Sequence, residues 1–187
     1  MFVVDLFISD TRRCPKKDHV LGHLNAPVVL IEYADFQCPY CKRAYHILRE
    51  AKRIMGDRLA IVFRHFPLQE LHANAVHAAI AAETAGGQGK FWEMHDALFE
   101  HQDCLEDICL IEYAGKIGLD VKRFEKRFGE DPYFHKVNRD YESGLHNGVD
   151  STPTFFLNGK KYEGNWMSVS FIDHLQELAE QHLSVTK

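Results

Sequence analysis

The fold is decided by residues 30–41, which read Leu-Ile-Glu-Tyr-Ala-Asp-Phe-Gln-Cys-Pro-Tyr-Cys. An apolar run ends in this stretch, and two cysteines follow with two residues between them. The residues after Cys41 carry apolar side chains at helical spacing, so the predicted order is strand, short turn, Cys-x-x-Cys and helix. A Cys-x-x-Cys motif in this context is typical of a redox-active pair.

The predicted helix start makes one of the two cysteines reactive. We expect Cys38 just before the helix or at its first position, and Cys41 one turn inside. Free backbone N–H groups and the helix dipole favour an anion there, so a lowered pKa makes Cys38 a thiolate nucleophile. Pro39 fits the first helical turn without losing a hydrogen bond. Cys41 is then close enough to resolve a mixed disulfide formed on Cys38.

Two other interpretations of the motif were weighed. The pair could be half of a zinc site, completed by Cys104 and Cys109 or by histidines, but structural zinc pairs usually lie on turns and knuckles. The pair could also be inert and buried, but we expect a helix start to leave Cys38 exposed. The redox interpretation is therefore preferred.

The first part of the chain predicts a βαβ unit. Val28–Tyr33 is a continuous apolar and β-branched run, typical of a buried strand. Pro39 to about Met55 forms the first helix, which Gly56 ends, and Leu59–Phe63 forms the second strand. Such a unit requires a right-handed crossover and a parallel strand pair.

The middle of the chain, from about His72 to Gly148, predicts helices only. A capping box at Asp103 and Glu106 predicts the start of the third of these helices. The predicted helices are Ala73–Thr84, Lys90–Glu100, Asp103 to Gly118, Asp120 to about Phe128, and Asp131-Pro132 to about His146.

The last part of the chain returns to a strand pattern after Pro153. Thr154–Leu157, Asn158-Gly159 and Lys160–Tyr162 form a strong hairpin signal with a type I′ turn. A final helix begins at Ser168 or Ser170 and runs to about Leu183. The order is therefore strand–helix–strand, a helical block, a hairpin and a helix.

Several motifs occur in one order over nearly the whole chain after residue 18. They are Asp18-His19-Val20-Leu21-Gly22, Ala26-Pro27-Val28, Glu32-Tyr33, Asp35-Phe36-Gln37-Cys38-Pro39-Tyr40-Cys41, Arg64-His65-Phe66-Pro67-Leu68, Gly89-Lys90-Phe91-Trp92-Glu93-Met94-His95-Asp96 and Ser151-Thr152-Pro153-Thr154-Phe155-Phe156 followed by Asn158-Gly159. With these motifs the chain resembles the DsbA-like branch of the thioredoxin superfamily.

The resemblance and the pattern both predict an α/β thioredoxin fold with an all-helical insertion between a βαβ half and a ββα half. The predicted parts are an N-terminal arm of residues 1–17, a thioredoxin-fold domain of residues 18–71 and 149–187, and an inserted helical subdomain of residues 72–148.

The resemblance also implies roles for residues beyond the cysteines. Glu32 matches a buried acid that accepts and returns the proton of Cys41, with a raised pKa, although a solvent-exposed edge carboxylate is the alternative. Pro153 matches a cis-proline that faces the motif, and Thr152 then offers its backbone to an extended substrate. A plain strand-initiating proline is the alternative. Asp35 either caps the turn or sets the local charge.

Tyr40 departs from the best-known oxidant of the branch, which carries histidine there. Tyrosine cannot supply a positive charge, and Cys-Pro-Tyr-Cys is also the glutaredoxin motif. We therefore expect a reduction potential on the order of −200 to −230 mV, like that of glutaredoxins. We also expect the protein to reduce or isomerise disulfides in preference to forming them.

Composition limits the class of protein. The chain has 187 residues and a net charge of −5, and its basic residues are scattered, so no nucleic-acid partner is expected. No apolar run is long enough to cross a membrane, so no membrane partner is expected. Residues 2–8 lack the features of a secretory signal and Met1 looks like a natural start, so we expect a cytoplasmic protein with free thiols. A periplasmic protein whose leader was removed is the alternative.

Three further cysteines make the total five, and an odd count argues against a static disulfide framework. Cys14 lies in a polar segment and is expected to be exposed. Cys104 and Cys109 would point about 140° apart on one helix, so we expect no bond between them unless that helix is broken. Buried small side chains are the preferred interpretation of both, and a second redox pair is the alternative.

The sequence therefore predicts a thiol–disulfide oxidoreductase that exchanges electrons with protein thiols and disulfides through a mixed disulfide on Cys38. No metal and no cofactor are expected, and glutathione or a reductase partner could supply electrons. A non-redox metal-binding or adaptor protein on the same fold is one alternative. A glutathione-dependent transferase or isomerase is another, although such relatives usually carry serine in place of the first cysteine.

Overall fold

The computed structural model describes residues 18–130, 133–168 and 170–185. The predicted arm of residues 1–17, including Cys14, lies outside the described residues. The predicted helix start at Asp131-Pro132 also lies outside them.

A five-stranded mixed sheet forms the centre of the molecule. Its two middle strands are parallel, and every other neighbouring pair is antiparallel. In the spatial order β1-β3-β2-β4-β5, the strands are β1 (His19–Leu21), β2 (Val28–Ala34), β3 (Leu59–His65), β4 (Thr154–Leu157) and β5 (Lys160–Lys161).

Helices cover both faces of the sheet. α1 (Pro39–Met55) connects β2 to β3, and α7 (Ser170–Val185) follows the hairpin. Both pack on one face, where Leu30, Ile61 and Phe155 belong to their shared core. Because side chains alternate along a strand, Glu32 faces the same side as Leu30.

The five remaining helices lie between β3 and β4 in the chain. They are α2 (Ala75–Gly86), α3 (Phe91–Glu100), α4 (Asp107–Lys116), α5 (Val121–Glu130) and α6 (Phe134–His146). Helix α6 covers the second sheet face, where Tyr141 packs with Tyr33 and Phe156. The predicted α/β thioredoxin fold with a helical insertion is confirmed.

The predicted hairpin turn is also present. Asn158 has a φ of 47° and Gly159 a φ of 86°, as a type I′ turn requires. The Asn158 side chain accepts a hydrogen bond from Val29 N at 2.7 Å and donates one to Pro27 O at 3.0 Å. The turn is thereby fastened to the start of β2.

The predicted single helix through Cys104 and Cys109 is wrong, so the condition under which no bond was expected between them does not hold. They form a disulfide with 6.0 Å between their Cα atoms. The predicted helix start at Asp103 placed both on one helix, but α4 begins at Asp107, so Cys104 lies in the turn before it. Both residues are partly exposed, which also contradicts the preferred interpretation of buried side chains.

None of the helices in the described part of the chain combines the length and the apolar character needed to cross a membrane.

Candidate active site

The two motif cysteines lie at the start of α1 as predicted. Cys38 is the residue before the helix, and Pro39 is its first residue. Both thiols are free. The Cys41 sulfur accepts a hydrogen bond from Asp35 N at 3.5 Å, and the Cys38 thiol donates one to Thr152 O at 3.4 Å. The motif is therefore enclosed by the β2–α1 turn and the loop before β4.

The expected exposure of Cys38 is not observed. The residue is only 4% exposed and Cys41 is fully buried, because both belong to the core that the inserted helices build. Pro39 and Tyr40 are exposed beside them. A reacting partner must therefore approach the Cys38 sulfur past these two residues.

The two thiols have opposite acidities. A hydrogen bond from the Cys41 thiol, helped by Thr152 and by the backbone N–H groups of Cys41 and Tyr40, outweighs burial and lowers the pKa of Cys38 to about 5. Burial raises the pKa of Cys41 well above its ordinary value, and the nearby Cys38 and Glu32 raise it further. At neutral pH, Cys38 is therefore a thiolate and Cys41 a thiol.

Glu32 is buried in the middle of the sheet, where it pairs in register with Phe63 and Phe155. It is 2% exposed, and its Oε1 has no hydrogen-bond partner among the described residues. Burial raises the pKa of Glu32 to about 8. The alternative of a solvent-exposed edge carboxylate is therefore excluded, and Glu32 can exchange a proton near neutral pH.

A cavity of about 300 Å³ connects Glu32 with the surface between α1 and α3. Leu48 and Trp92 contribute apolar walls, and Arg49 and Asp96 lie at its outer side. The side chains of Arg49 and Asp96 are 58% and 48% exposed. The cavity offers a route by which protons can pass between Glu32 and solvent.

Thr152 and Pro153 also lie beside the motif. The peptide bond between them is cis, as the resemblance implies. The Thr152 hydroxyl is buried and has no hydrogen-bond partner among the described residues. The structure thus brings Cys38, Cys41, Glu32, Thr152 and Pro153 into one region.

Asp35 holds the turn before the motif. Its Oδ1 accepts a hydrogen bond from Gln37 N at 2.7 Å, and its Oδ2 accepts one from Leu68 N and one from His72 Nδ1, each at 2.8 Å. The capping role weighed for Asp35 is present, but the sequence did not predict its contacts with Leu68 and His72.

Gln102 contacts the active-site loop, and the sequence did not predict this contact. Its Nε2 donates to Phe36 O at 2.7 Å and to Cys38 O at 2.8 Å. It lies in the turn between α3 and α4, so an inserted segment holds the active-site loop directly. No local pattern marks Gln102, because its partners lie 64 and 66 residues away in sequence.

The fold and the dithiol at the start of α1 define a protein of the thioredoxin class. A family model described as thioredoxin matches residues 15–175. The chain belongs to this family.

Solved structures of other proteins share this fold. The chain matches oxidised BdbD from Bacillus subtilis with a TM-score of 0.76 and 23% identity, covering 90% of this chain and 94% of that one. It matches alpha-DsbA1 from Wolbachia pipientis with a TM-score of 0.78 and 22% identity, covering 91% and 94%. The predicted resemblance is confirmed at the level of the fold.

A curated relative of a different kind is more similar in sequence. The chain is 43% identical over 164 residues to the Na(+)/H(+) antiporter NhaA 1 of Mycobacterium sp. (strain KMS), covering 87% of this chain and 27% of the relative. The chain therefore spans about a quarter of the length of the curated relatives that it matches.

Proposed function

We propose that the chain is a thiol–disulfide oxidoreductase that acts on protein thiols and disulfides. The observation that carries the proposal is the opposite acidity of two adjacent thiols at the start of α1. The pKa of Cys38 is lowered to about 5, whereas the pKa of Cys41 is raised. One sulfur is therefore a nucleophile at neutral pH, and the other keeps its proton until it is needed.

In the reducing direction, the Cys38 thiolate attacks one sulfur of a substrate disulfide. A bond forms between Cys38 and that sulfur, and the other substrate sulfur leaves as a thiolate that takes a proton from solvent. Cys41 then gives its proton to ionised Glu32 and attacks the Cys38 sulfur. The Cys38–Cys41 disulfide forms, the second substrate thiolate leaves, and two electrons have passed from the protein to the substrate.

The same residues serve the opposite direction. A substrate thiolate attacks the Cys38 sulfur of the Cys38–Cys41 disulfide, and Cys41 leaves and receives the proton from Glu32. A second substrate thiolate then attacks the substrate sulfur of the mixed disulfide, the Cys38 thiolate leaves, and two electrons have passed from the substrate to the protein. The cavity beside Glu32 lets the carboxyl group return to equilibrium with solvent after each cycle.

Substrate docking is assigned to the loop before β4. Thr152 and Pro153 lie next to Cys38, and the Thr152 backbone can pair with an extended substrate segment as a short added strand. Tyr40 is 55% exposed at the same opening and offers an apolar contact. This arrangement suits an unfolded or flexible stretch of protein around the reacting cysteine.

The direction proposed is reduction or isomerisation in the cytoplasm. Tyr40 supplies no positive charge to the motif, so the proposed potential is on the order of −200 to −230 mV. Glutathione or a reductase partner then returns electrons to Cys38 and Cys41. No metal or bound cofactor takes part in these steps.

The two alternative functions have less support. A zinc site at Cys38 and Cys41 needs further ligands, and the described residues bring no third cysteine, histidine or carboxylate into a group with them. Monothiol glutathione chemistry needs only the first cysteine, whereas here the second is fully buried beside an acid that can take its proton. The antiporter activity of the curated relative is not transferred, because the match covers 27% of that protein.

The experiment is a redox titration of the full chain in glutathione buffers. Differential alkylation followed by peptide mass spectrometry reports each cysteine pair separately, after a metal analysis of the purified protein. We expect a single two-electron transition of Cys38 and Cys41 between about −200 and −230 mV. No transition, together with one zinc ion bound per chain at these residues, would contradict the proposal.

Two variants test the separate roles in an insulin-reduction assay. Cys38→Ser removes the nucleophile, so we expect complete loss of activity. Cys41→Ser removes the resolving thiol, so we expect loss of turnover and accumulation of a mixed disulfide on Cys38. Full turnover by Cys41→Ser with glutathione would instead support monothiol chemistry.

A further inference from the structure

A second pair of sulfur atoms lies on the inserted segment that contacts the active site. Cys104 and Cys109 are bonded to each other, and both are partly exposed. Cys109 is the third residue of α4, a helix of 10 residues. Its sulfur therefore lies where free backbone N–H groups favour a thiolate.

The two sulfur atoms have different surroundings. A Glu106 carboxylate oxygen lies 3.4 Å from the Cys104 sulfur and within 4.8 Å of the Cys109 sulfur, and Asp103 directly precedes Cys104, so negative charge disfavours a thiolate more strongly on Cys104. Asp107, the first residue of α4, is paired with His77 at 2.7 Å. Cys109 is therefore the better leaving group when the disulfide is opened.

The turn that carries Cys104 also carries Gln102. Cys104 N donates to His101 O at 3.0 Å, and the Tyr113 hydroxyl of α4 donates to Cys104 O at 2.8 Å. The disulfide adds a covalent connection between this turn and the first turn of α4. Gln102, two residues before Cys104, is thereby held where its side-chain amide reaches the carbonyl oxygens of Phe36 and Cys38.

We propose that Cys104 and Cys109 form a second redox-active site, which is reduced by low-molecular-weight thiols such as glutathione and controls the first site through Gln102. The reduction of this disulfide is independent of the proposed function. The control of Cys38 rests on that function.

The reaction is a two-step exchange with two thiols. A glutathione thiolate attacks the Cys104 sulfur, a mixed disulfide forms there, and Cys109 leaves as a thiolate. A second glutathione thiolate attacks the glutathione sulfur of the mixed disulfide, which releases Cys104 and glutathione disulfide. Two electrons enter the protein pair, and two glutathione molecules are oxidised.

Opening the disulfide removes the covalent connection between the turn and α4. Gln102 then holds the Phe36 and Cys38 carbonyl oxygens less firmly, and the backbone N–H groups around the Cys38 sulfur become less ordered. Because those groups stabilise the Cys38 thiolate, reduction of the second site raises the pKa of Cys38, which makes Cys38 a poorer leaving group at neutral pH and less ionised near pH 5.

The first test isolates the second site. The variant Cys14→Ser/Cys38→Ser/Cys41→Ser leaves Cys104 and Cys109 as its only cysteines, and it is titrated in glutathione buffers with thiol mass-tagging. We expect one two-electron transition within the range that glutathione buffers cover. A disulfide that persists in excess reduced glutathione would be structural and would overturn the proposal.

Two other outcomes of this test also overturn it. A pair that stays reduced in excess glutathione disulfide is not a disulfide site. Cys104, Glu106 and Cys109 can also bring three ligand atoms within 4.8 Å of one another. Stoichiometric binding of added zinc that prevents oxidation would therefore identify a metal centre in place of a redox pair.

The second test measures control of the first site in the otherwise intact chain. The readout is the pH profile of Cys38 alkylation, compared among wild type, Gln102→Ala and Cys104→Ser/Cys109→Ser. Loss of a hydrogen bond of ordinary strength lowers the acid dissociation constant of Cys38 about fivefold, which predicts about threefold slower alkylation at pH 5 and about fivefold slower alkylation well below pH 5 for each variant. The variant that combines Gln102→Ala with Cys104→Ser and Cys109→Ser should show no further loss of alkylation rate, because both changes act on the same contact.

Unchanged or additive pH profiles in this second test would overturn the control through Gln102. Circular dichroism confirms folding, and Gln102→Met, which keeps the approximate size and the zero charge but lacks the donor, replaces Gln102→Ala if that variant does not fold. The first test contains neither Cys38 nor Cys41, so its result does not depend on the proposed function.

Discussion

Glu32 places a buried carboxyl group, with one oxygen lacking a hydrogen bond from the described residues, in the centre of the sheet. We expect Glu32→Gln to stabilise the protein at neutral pH. The unfolded chain loses the Glu32 proton near the ordinary pKa of 4.5, whereas the folded chain keeps it up to about 8. The carboxyl group therefore destabilises the fold increasingly between these pH values, by an amount on the order of 3 kcal/mol at pH 7.

Urea unfolding of wild type and Glu32→Gln at pH 4 and pH 8 measures this effect. The stability difference should be small at pH 4 and near its maximum at pH 8. Glu50→Gln is the control, because Glu50 is exposed and pairs only with Arg53 of the same helix among the described contacts. A stability difference that does not change with pH would contradict the assignment of a raised pKa to Glu32.

Thr152 contributes a buried hydroxyl group beside the Cys38 sulfur. We expect Thr152→Val to raise the pKa of Cys38 above about 5, because the Thr152 hydroxyl has no other hydrogen-bond partner among the described residues and is the donor that the Cys38 thiolate would lose. A hydrogen bond to a charged acceptor predicts a rise of about one to two units. Thiolate absorbance measured against pH reports the change.

Thr84→Val is the matched control for this prediction. The Thr84 hydroxyl is also buried, but it donates to Ile80 O within α2 at 2.8 Å. The control should leave the pKa of Cys38 unchanged. An equal shift in both variants would mean that Thr152 acts through general stability and not through the Cys38 thiolate.

Helix α6 approaches the sheet closely at Gly144. A Cβ atom at this position would lie 2.6 Å and 2.7 Å from two atoms of the Phe66 ring and 3.2 Å from the Tyr33 ring. Because these rings are buried and cannot move away freely, we expect Gly144→Ala to destabilise the protein by about 1–3 kcal/mol. Urea unfolding measures the change.

Gly129→Ala in α5 is the control for the same substitution in a helix. No atom lies within 4 Å of a Cβ built at Gly129. Alanine is the better helix former, so this variant should be neutral or stabilised by up to about 1 kcal/mol. Similar losses of stability in the two variants would contradict the close packing of α6 against Phe66.

The elements that sequence reasoning predicted are those with a strong local pattern. Helix α1 has the predicted bounds because Pro39 begins it, Gly56 follows it, and an apolar stripe repeats between them. Strand β1 was missed because three residues are too few to show an alternation. The start of α4 was placed too early because the capping-box pattern at Asp103 competes with the contacts that fix the turn before Asp107.

The same distinction applies to the site. Cys38 and Cys41 are separated by only two residues in sequence, and the burial of Glu32 follows from its strand. The contact between Thr152 and Cys38 could not be predicted from local sequence, because the two residues lie 114 positions apart. The hydrogen bonds from Gln102 to the active-site loop were missed for the same reason.

At the scale of the whole molecule, buried charges connect the sheet with the inserted helices. Glu83 of α2 accepts hydrogen bonds from His65 at 2.8 Å and from His19 at 2.9 Å, and Asp140 of α6 accepts one from His65 N at 3.2 Å. Burial alone would raise the pKa of Glu83, but the two histidine hydrogen bonds and nearby positive charge outweigh it and hold the pKa well below its ordinary value. Separating the two parts would leave these charges without partners.

We therefore expect the sheet and the inserted helices to unfold in one transition. The chain has two tryptophans, Trp92 in α3 and Trp166 beside Phe155 of β4. Trp166→Phe leaves Trp92 as the fluorescent reporter of the inserted helices. Trp92→Phe leaves Trp166 as the fluorescent reporter of the sheet. The two variants, each also followed by circular dichroism, should give coincident urea transitions by both probes.

Glu83→Gln provides the check on this cooperativity. Removing one member of a buried charged group should cost about 3 kcal/mol and shift the midpoint for both tryptophan reporters equally. A midpoint that falls for Trp92 alone would show that the inserted helices unfold separately from the sheet.

The turn that joins β4 to β5 contains a site of slow chemical degradation by deamidation. Asparagine is a thermolabile residue, and at Asn158 the following glycine has no side chain to shield the backbone nitrogen that attacks the amide. Loss of ammonia would leave a carboxylate that still accepts from Val29 N but faces the Pro27 carbonyl oxygen without a donor. This turn lies at the opposite end of β4 from Thr152, so long storage should loosen the sheet edge before it alters the sulfur chemistry.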